Sequence, residues 1–271
     1  MLTPVTATCF HRPMGVGKTA PSLVTCVQAD GNEVELVVKF AGGCEAGLGS
    51  LLREAVAALM AADLDLPVPE PFLVKVEADF VATIPETDER YRLAKRNAAA
   101  SCGWNFGSKK LPAGFSTILK GRTIPQALMP MAAEILALDT FIANPDRTVE
   151  NPNCQSNGRE FAIFDHELAF RTDGVLFWKP PWEKGGISFP KGQPDRLRHV
   201  FLDELRGSEP DFRRFGGAFD VLTDARLNEY RSALPNEWMS DGGDIGRILE
   251  YVLGLKLNVD LSISNLSEAL R

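Results

Sequence analysis

Residues 138–170, "LDTFIANPDRTVENPNCQSNGREFAIFDHELAF", carry the densest set of groups able to do chemistry. An apolar helix is expected over Met131–Ala143, ended by Asn144-Pro145. Asp146 and Asn151 follow five positions apart in a loop, and Glu160–Phe164 reads as a short strand with Asp165 at its end. Two carboxylates and an amide placed this way suit transfer of a phosphoryl group from magnesium-ATP. One aspartate, Asp146, accepts or orients the proton of the attacking hydroxyl. Asn151 and Asp165 hold Mg²⁺, which bridges the phosphates and offsets their charge. The same letters also have a plain reading, because Asn-Pro-Asp-Arg makes an Asx-turn and a helix cap with no ligand.

Two further residues bear on that choice. Lys39 ends the alternating stretch "EVELVVKF", a strand pattern, and Glu54 lies fifteen positions later on the flank of an apolar helical stripe. Taken singly, Lys39 reads as a solvated edge residue and Glu54 as a solvent-facing helix charge. Taken together, a strand lysine paired with a helix glutamate aims an ammonium at the α- and β-phosphates of a nucleotide.

The string "RPMGVGKTAPSL", Arg12–Leu23, raises the same chemistry from another side. A Walker P-loop needs a glycine five positions before Gly17, where this chain has Arg12, and a helix after Thr19, where it has Pro21 and a β-branched run. A glycine loop between two strands is therefore expected. A hairpin turn without a ligand fits the same letters.

Around these residues the chain must build their supports. Val24–Gln28 and Glu33–Phe40 are strand candidates joined by Ala29-Asp30-Gly31-Asn32. Leu48, Leu51, Leu52, Ala55, Val56 and Leu59 form one helical stripe stopped by Pro67 and Pro69. Phe72–Val76 and Phe80–Ile84 read as a second strand pair. Residues 87–123, punctuated by Gly103, Gly107, Gly114 and Gly121, read as an irregular join between lobes. Beyond it, Gln193–Arg206, Ala225–Ala233 and Ile245–Leu257 read as helices, and Thr172–Gly192, with Trp178 and Trp182, as a long ordered loop.

Composition narrows the classes. Thirty-six carboxylates against 29 basic residues argue against a nucleic-acid wrapper, which needs clustered cations. No apolar run approaches a membrane span, so no membrane association is expected. "MLTPVTATCFHRP" lacks the basic and apolar segments of a secretory signal. Five scattered cysteines without a Cys-x-x-Cys pair suit reduced thiols, and a cytoplasmic location is expected. Three histidines without ligand spacing make a zinc site improbable.

At "LREAVAALMAADLDLPVPEP", "GWNFGSKKLP" and "LDTFIANPDRTVENPN…FDHELAF" the chain resembles the HipA-like kinases, relatives of the protein kinase and phosphoinositide kinase folds. The resemblance spans the glycine loop to the last helices. It implies an α+β, bilobal protein-kinase-like fold: a strand-rich N-lobe over 1–86, a mainly helical C-lobe over 87–271, and the join near 87–123. It implies Gly15 and Gly17 as the loop over the phosphates, Lys39 as the phosphate lysine with Glu54 as partner, and Asp146 as the catalytic aspartate. Asn151 and Asp165 become the metal ligands, with ATP and Mg²⁺ as cofactors. The activity implied is transfer to a Ser/Thr hydroxyl of a protein substrate. A pseudokinase or nucleotide-binding scaffold, or a kinase of a lipid or small molecule, stays open on the same fold. In some relatives a glycine-loop serine is modified, which points to Thr19 or Ser22 here.

The chain also departs from the pattern. Many relatives have histidine after Asp-Arg, where this chain has Thr148, so that histidine's work is lost or supplied elsewhere. The Asp165 motif is Asp-His-Glu rather than Asp-Phe-Gly, so the activation switch of ordinary protein kinases is not assumed. The glycine loop begins within fifteen residues of Met1, so the extra domain of toxin-type relatives is not expected here. Neither a toxin role nor an antitoxin partner is therefore carried over.

Overall fold

The computed structural model describes residues 1–15, 19–172, 177–240 and 245–271. It is a mixed α and β structure, strand-rich in its N-terminal region and helical in its C-terminal part. Two compact units emerge. One comprises Met1–Val56, Pro69–Pro112 and Glu229–Ile245, the other Ala57–Val68, Ala113–Asn228 and Gly246–Arg271.

In the first unit, β1 (Thr3–Pro13), β2 (Ser22–Gln28) and β3 (Glu33–Lys39) run antiparallel in succession. The β2–β3 turn is the expected one, closed by the Gly31 amide on the Gln28 carbonyl at 3.0 Å with Gly31 at φ 85°. Helix α1 (Leu48–Asp63) buries Leu51, Leu52, Ala55, Val56 and Leu59, the stripe read from the sequence. After it come β4 (Pro71–Val76), α2 (Ala78–Thr83), α3 (Glu89–Ala99) and β5 (Gly103–Lys109). The strands close into a barrel in the order β1-β2-β3-β5-β4, with β1 parallel to β4. Val24, Cys26, Leu36, Val38 and Val74 fill its core and have no exposed surface.

Two expectations are corrected here. Phe80–Ile84 is not a strand; Phe80, Val81 and Ile84 are buried while Ala82 is exposed, which is helical and not alternating spacing. Residues 87–123 are not wholly irregular, since they hold α3 and β5. The apolar face of α3 consists mainly of the small residues Ala94 and Ala98, so its hydrophobic signal is weak; Asp88 caps it by accepting from the Arg90 and Tyr91 amides. Strand β5 was masked by its glycines. Gly107 is there because a Cβ would come 2.7 Å from Val74 Cγ2 inside the barrel.

In the second unit, β6 (Ser116–Thr117), β7 (Cys154–Ser156) and β8 (Phe161–Ile163) form a small antiparallel sheet. Helix α4 (Met129–Phe141) is apolar on every side and correspondingly buried all round. Then follow α5 (Leu202–Leu205), α6 (Arg213–Ala218), α7 (Asp224–Ala233), α8 (Asn236–Ser240), α9 (Ile245–Leu257) and α10 (Val259–Leu270). Of these, α8 belongs to the first unit, where Trp238 donates its indole N–H to the Trp104 carbonyl at 3.1 Å. Phe141 packs against Phe215 and Phe219, with ring centroids 5.8 and 6.4 Å away. Glu134 of α4 binds Arg214, and Asp63 binds Arg226.

The helix expected over Gln193–Arg206 is a third correction, for only Leu202–Leu205 is helical. Residues 198–200 instead bond to the loop after α4. The Val149 amide donates to the Arg198 carbonyl at 3.0 Å and the Val200 amide to the Arg147 carbonyl at 3.1 Å. Backbone groups committed to that bridge are lost to a helix. Among the described residues, no helix is long and apolar enough to cross a membrane.

Candidate functional site

In the first unit, Lys39 closes β3 and Glu54 lies mid-way along α1. Lys39 Nζ donates to Glu54 Oε2 at 2.8 Å, with the residues 8% and 2% exposed. The chain leaving Lys39 is held firmly. The Ala41 amide donates to Asn105 Oδ1 at 3.0 Å and the Gly42 amide to Ser101 Oγ at 2.7 Å. Asn105 in turn donates to the Ser101 carbonyl at 2.7 Å. Thus β5 and the turn that leads into it from α3, both hidden in the supposed join, fix the backbone that presents the lysine.

The glycine loop lies between β1 and β2, as expected, and its base is closed by the Met14 amide on the Pro21 carbonyl at 2.7 Å. Gly15 has open space on its side-chain face, for a Cβ there meets no atom within 4 Å. Gly17 lies outside the described residues. Thr19 is half-buried, and its carbonyl accepts from Asn97 Nδ2 at 3.4 Å. Ser22 is buried and donates to the Ala20 carbonyl at 3.0 Å, which keeps its hydroxyl inside the protein.

In the second unit, α4 ends at Phe141 and the chain turns through Ala143, at φ 52°, into Asn144-Pro145-Asp146. The structure brings Asp146 and Asn151 together: Asn151 Nδ2 donates to Asp146 Oδ2 at 2.9 Å. Asn153, not anticipated, donates to the same oxygen at 2.8 Å. Its backbone takes the left-handed conformation, φ 43°, which asparagine tolerates better than most residues. Asp165 follows β8 by two residues and is also left-handed, at φ 63°.

Sequence reasoning missed the group that ties these loops together. Arg147 is 1% exposed. Its Nε donates to Asp139 Oδ2 at 2.6 Å, its Nη1 to the carbonyls of Asn153 and Phe164, and its Nη2 to His166 Nε2 at 2.8 Å. A guanidinium only donates, so His166 must accept at Nε2 and carry its proton on Nδ1. Arg147 therefore grips the residues on both sides of Asp165 as well as the loop of Asp146.

Asp139 is the counter-charge, 1% exposed on α4. It accepts from Arg147, from Asn144 Nδ2 at 2.7 Å and from His199 Nε2 at 3.0 Å. Burial opposes its charge, but Arg147 and the His199 N–H outweigh that and hold the carboxyl well below its ordinary range. Asn144 Oδ1 accepts the Asp146 amide at 3.3 Å, which carries the network to Asp146. An acidic residue inside a helix whose other residues are apolar but for Glu134 and Thr140 was the available signal for Asp139. Nothing local marks His199. Thr148, where many relatives carry histidine, is bridged to His199 in backbone pairing.

A cavity of about 340 Å³ opens beside this loop, lined among others by Asn144, Pro145, Arg171, Trp178, Leu197 and His199. Trp178 and Trp182 pack at a tilt against Tyr251, with centroids 5.8 and 5.5 Å away, and the Tyr251 hydroxyl donates to the Phe141 carbonyl at 2.6 Å. The loop expected over Thr172–Gly192 is thereby anchored to the end of α4, apart from its residues 173–176, which are outside the described set.

Among the described residues, no cluster of three or more His, Cys, Asp or Glu is placed for a metal. A magnesium site of one amide and one carboxylate has a different composition. The Asn151 amide nitrogen faces Asp146, so its carbonyl oxygen is the end that could meet a hard cation, and Asp165 could add a carboxylate oxygen. Oxygen donors of these two types are the kind that Mg²⁺ takes, alongside retained waters.

A model of the HipA-like kinase family matches residues 9–176. No curated protein matches the sequence. Among solved structures, the chain is similar to a Helicobacter pylori proinflammatory kinase, CtkA, with a TM-score of 0.50 and 13% identity. That match covers 98% of this chain and 99% of that one.

Proposed function

Because this chain belongs to the HipA-like kinase family, we propose that it transfers the γ-phosphoryl group of ATP to a Ser or Thr hydroxyl of a protein. Phosphotransfer follows from the family; the nucleotide, the metal and the acceptor are our reading. The observation that carries it is the Lys39–Glu54 pair, 2.8 Å apart and buried at the end of a barrel strand. A buried ion pair gives little net stability compared with apolar residues of the same volume. Its presence is better accounted for by a task, and aiming an ammonium at phosphates is one that such a pair performs.

In this reading Lys39 meets the α- and β-phosphates, held in direction by Glu54, and Gly15 lets the backbone approach them. Asp146 accepts or orients the proton of the acceptor hydroxyl. Its carboxylate is fixed for this by two amide donors on Oδ2, so no reorientation is needed as the proton moves. Asn151 and Asp165 would hold Mg²⁺, which offsets phosphate charge when bound. The test is transfer from γ-labelled ATP to a generic protein acceptor, by the wild type and by Lys39→Met. Label on the acceptor with the wild type and its loss in the variant support the reading; equal labelling by both contradicts it.

A further inference from the structure

We propose that His199 is a positioning residue for Asp146, acting through Asp139 from a segment beyond the residues that the family model matches. The proposal rests on the reading of Asp146 as the group that acts on the acceptor hydroxyl.

The geometry defines the state of the imidazole. His199 Nδ1 accepts the backbone amide of Phe201 at 3.2 Å, so the ring proton sits on Nε2, which donates to Asp139 Oδ2 at 3.0 Å. Burial favours this neutral form; Asp139 opposes that preference and Arg147 adds to it. His199 is thus a directed donor with one orientation. Its ring is held beside Phe201, centroids 5.7 Å apart, and its backbone is fixed by the two bonds of the Thr148 bridge.

From Asp139 two routes lead to Asp146. One passes through Asn144, whose Nδ2 binds Asp139 and whose Oδ1 accepts the Asp146 amide. The other passes through Arg147 to the carbonyl of Asn153, whose side chain holds Asp146 Oδ2. Asp139 Oδ2 serves both Arg147 and His199. Without the His199 donor, that carboxylate keeps Arg147 and Asn144 but loses the third partner that fixes its plane, and the origin of both routes loosens. The ring also borders the 340 Å³ cavity, so the same strap closes one wall of that space. A buried polar network of this kind orients what it touches only while each member keeps its partner.

The test compares His199→Phe, which keeps a ring and loses the donor, with His199→Gln, whose amide restores an N–H near Nε2. Turnover, KM for ATP and the side-chain amide resonances of Asn151 and Asn153 are measured in each. Loss of an orienting partner of this type costs on the order of 10- to 100-fold in activity. The proposal expects that loss in kcat for His199→Phe, with KM for ATP within about twofold. It also expects displaced Asn151 and Asn153 resonances, and recovery of both properties in His199→Gln. Wild-type kcat and unmoved resonances in His199→Phe overturn it, as does a loss that His199→Gln does not relieve. If the wild type transfers no phosphate, the proposed function fails, and the amide resonances alone then decide the positioning role. Should His199→Phe fail to fold, the ring nitrogens of wild-type His199 decide: protonation on Nε2 is required, and a neutral ring protonated on Nδ1 overturns the proposal.

Discussion

Asn153 Nδ2 stands 2.8 Å from Asp146 Oδ2, while the carbonyl of the same Asn153 accepts from Arg147. One residue therefore links the proposed catalytic carboxylate to the buried guanidinium. Removing its amide in Asn153→Gly keeps the left-handed backbone and should lower kcat by roughly tenfold or more, within the range of misplaced acid–base groups. Asn153→Ala should show the same kinetic loss plus about 1 kcal/mol of lost stability, because φ 43° is strained for alanine. Kinetics and melting of the two variants separate the contributions.

The Lys39–Glu54 pair predicts non-additivity in stability as well as in activity. Lys39→Met leaves Glu54 in a site where it is 2% exposed, and Glu54→Gln leaves Lys39 similarly stranded. Each should cost a few kcal/mol, at the low end of what breaking buried pairs costs. The double variant should melt above at least one of the singles, while transferring no less phosphate than Lys39→Met. Fully additive losses in denaturant unfolding would contradict the pairing.

Gly43 predicts a defect at the base of the glycine loop. A Cβ there would come 2.4 Å from Asn97 Nδ2 and 2.7 Å from the Thr19 carbonyl, the two groups that bond each other. Gly43→Ala should destabilise by about 1–3 kcal/mol, the usual range for overpacking, and raise the KM for ATP. An unchanged melting temperature would contradict it.

Acid should weaken the second unit in a definable window. The folded state lowers the His199 pKa below its ordinary 6.5, so the unfolded chain binds the proton more readily. Stability from this group is complete above about 6.5 and declines as pH falls through the folded value. Asp139, also lowered, adds a second loss nearer the ordinary carboxylate range as pH falls further. In His199→Phe the first decline, read as melting temperature against pH, should disappear and the second should remain.

Much of this could be read from the letters, and the failures have physical causes. The stripe from Leu51 to Leu59 and the alternation in β3 are long and strongly patterned, so α1, β2 and β3 were legible, as was the closeness of Asp146 and Asn151. Helix α3 and strand β5 were not, because Ala94, Ala98 and Gly107 are chosen for close approach and give little hydrophobic signal. The network behind Asp146 was hidden for a different reason. His199 lies 60 residues from Asp139 and meets it and Arg147 only through tertiary packing, and a His in a polar stretch such as "QPDRLRHV" carries no sign of its burial.

The most direct measurement of the central claim pairs phosphoryl transfer with nucleotide binding in Asp146→Ala. The wild type should label a protein acceptor from γ-labelled ATP with magnesium and should melt at a higher temperature when ATP and magnesium are present. The variant should label nothing above background, a loss of roughly 100-fold or more, yet keep most of the melting shift, since Asp146 acts on the acceptor and not on the nucleotide. Transfer by Asp146→Ala at the wild-type rate, or no transfer by the wild type despite a full melting shift, would contradict the account.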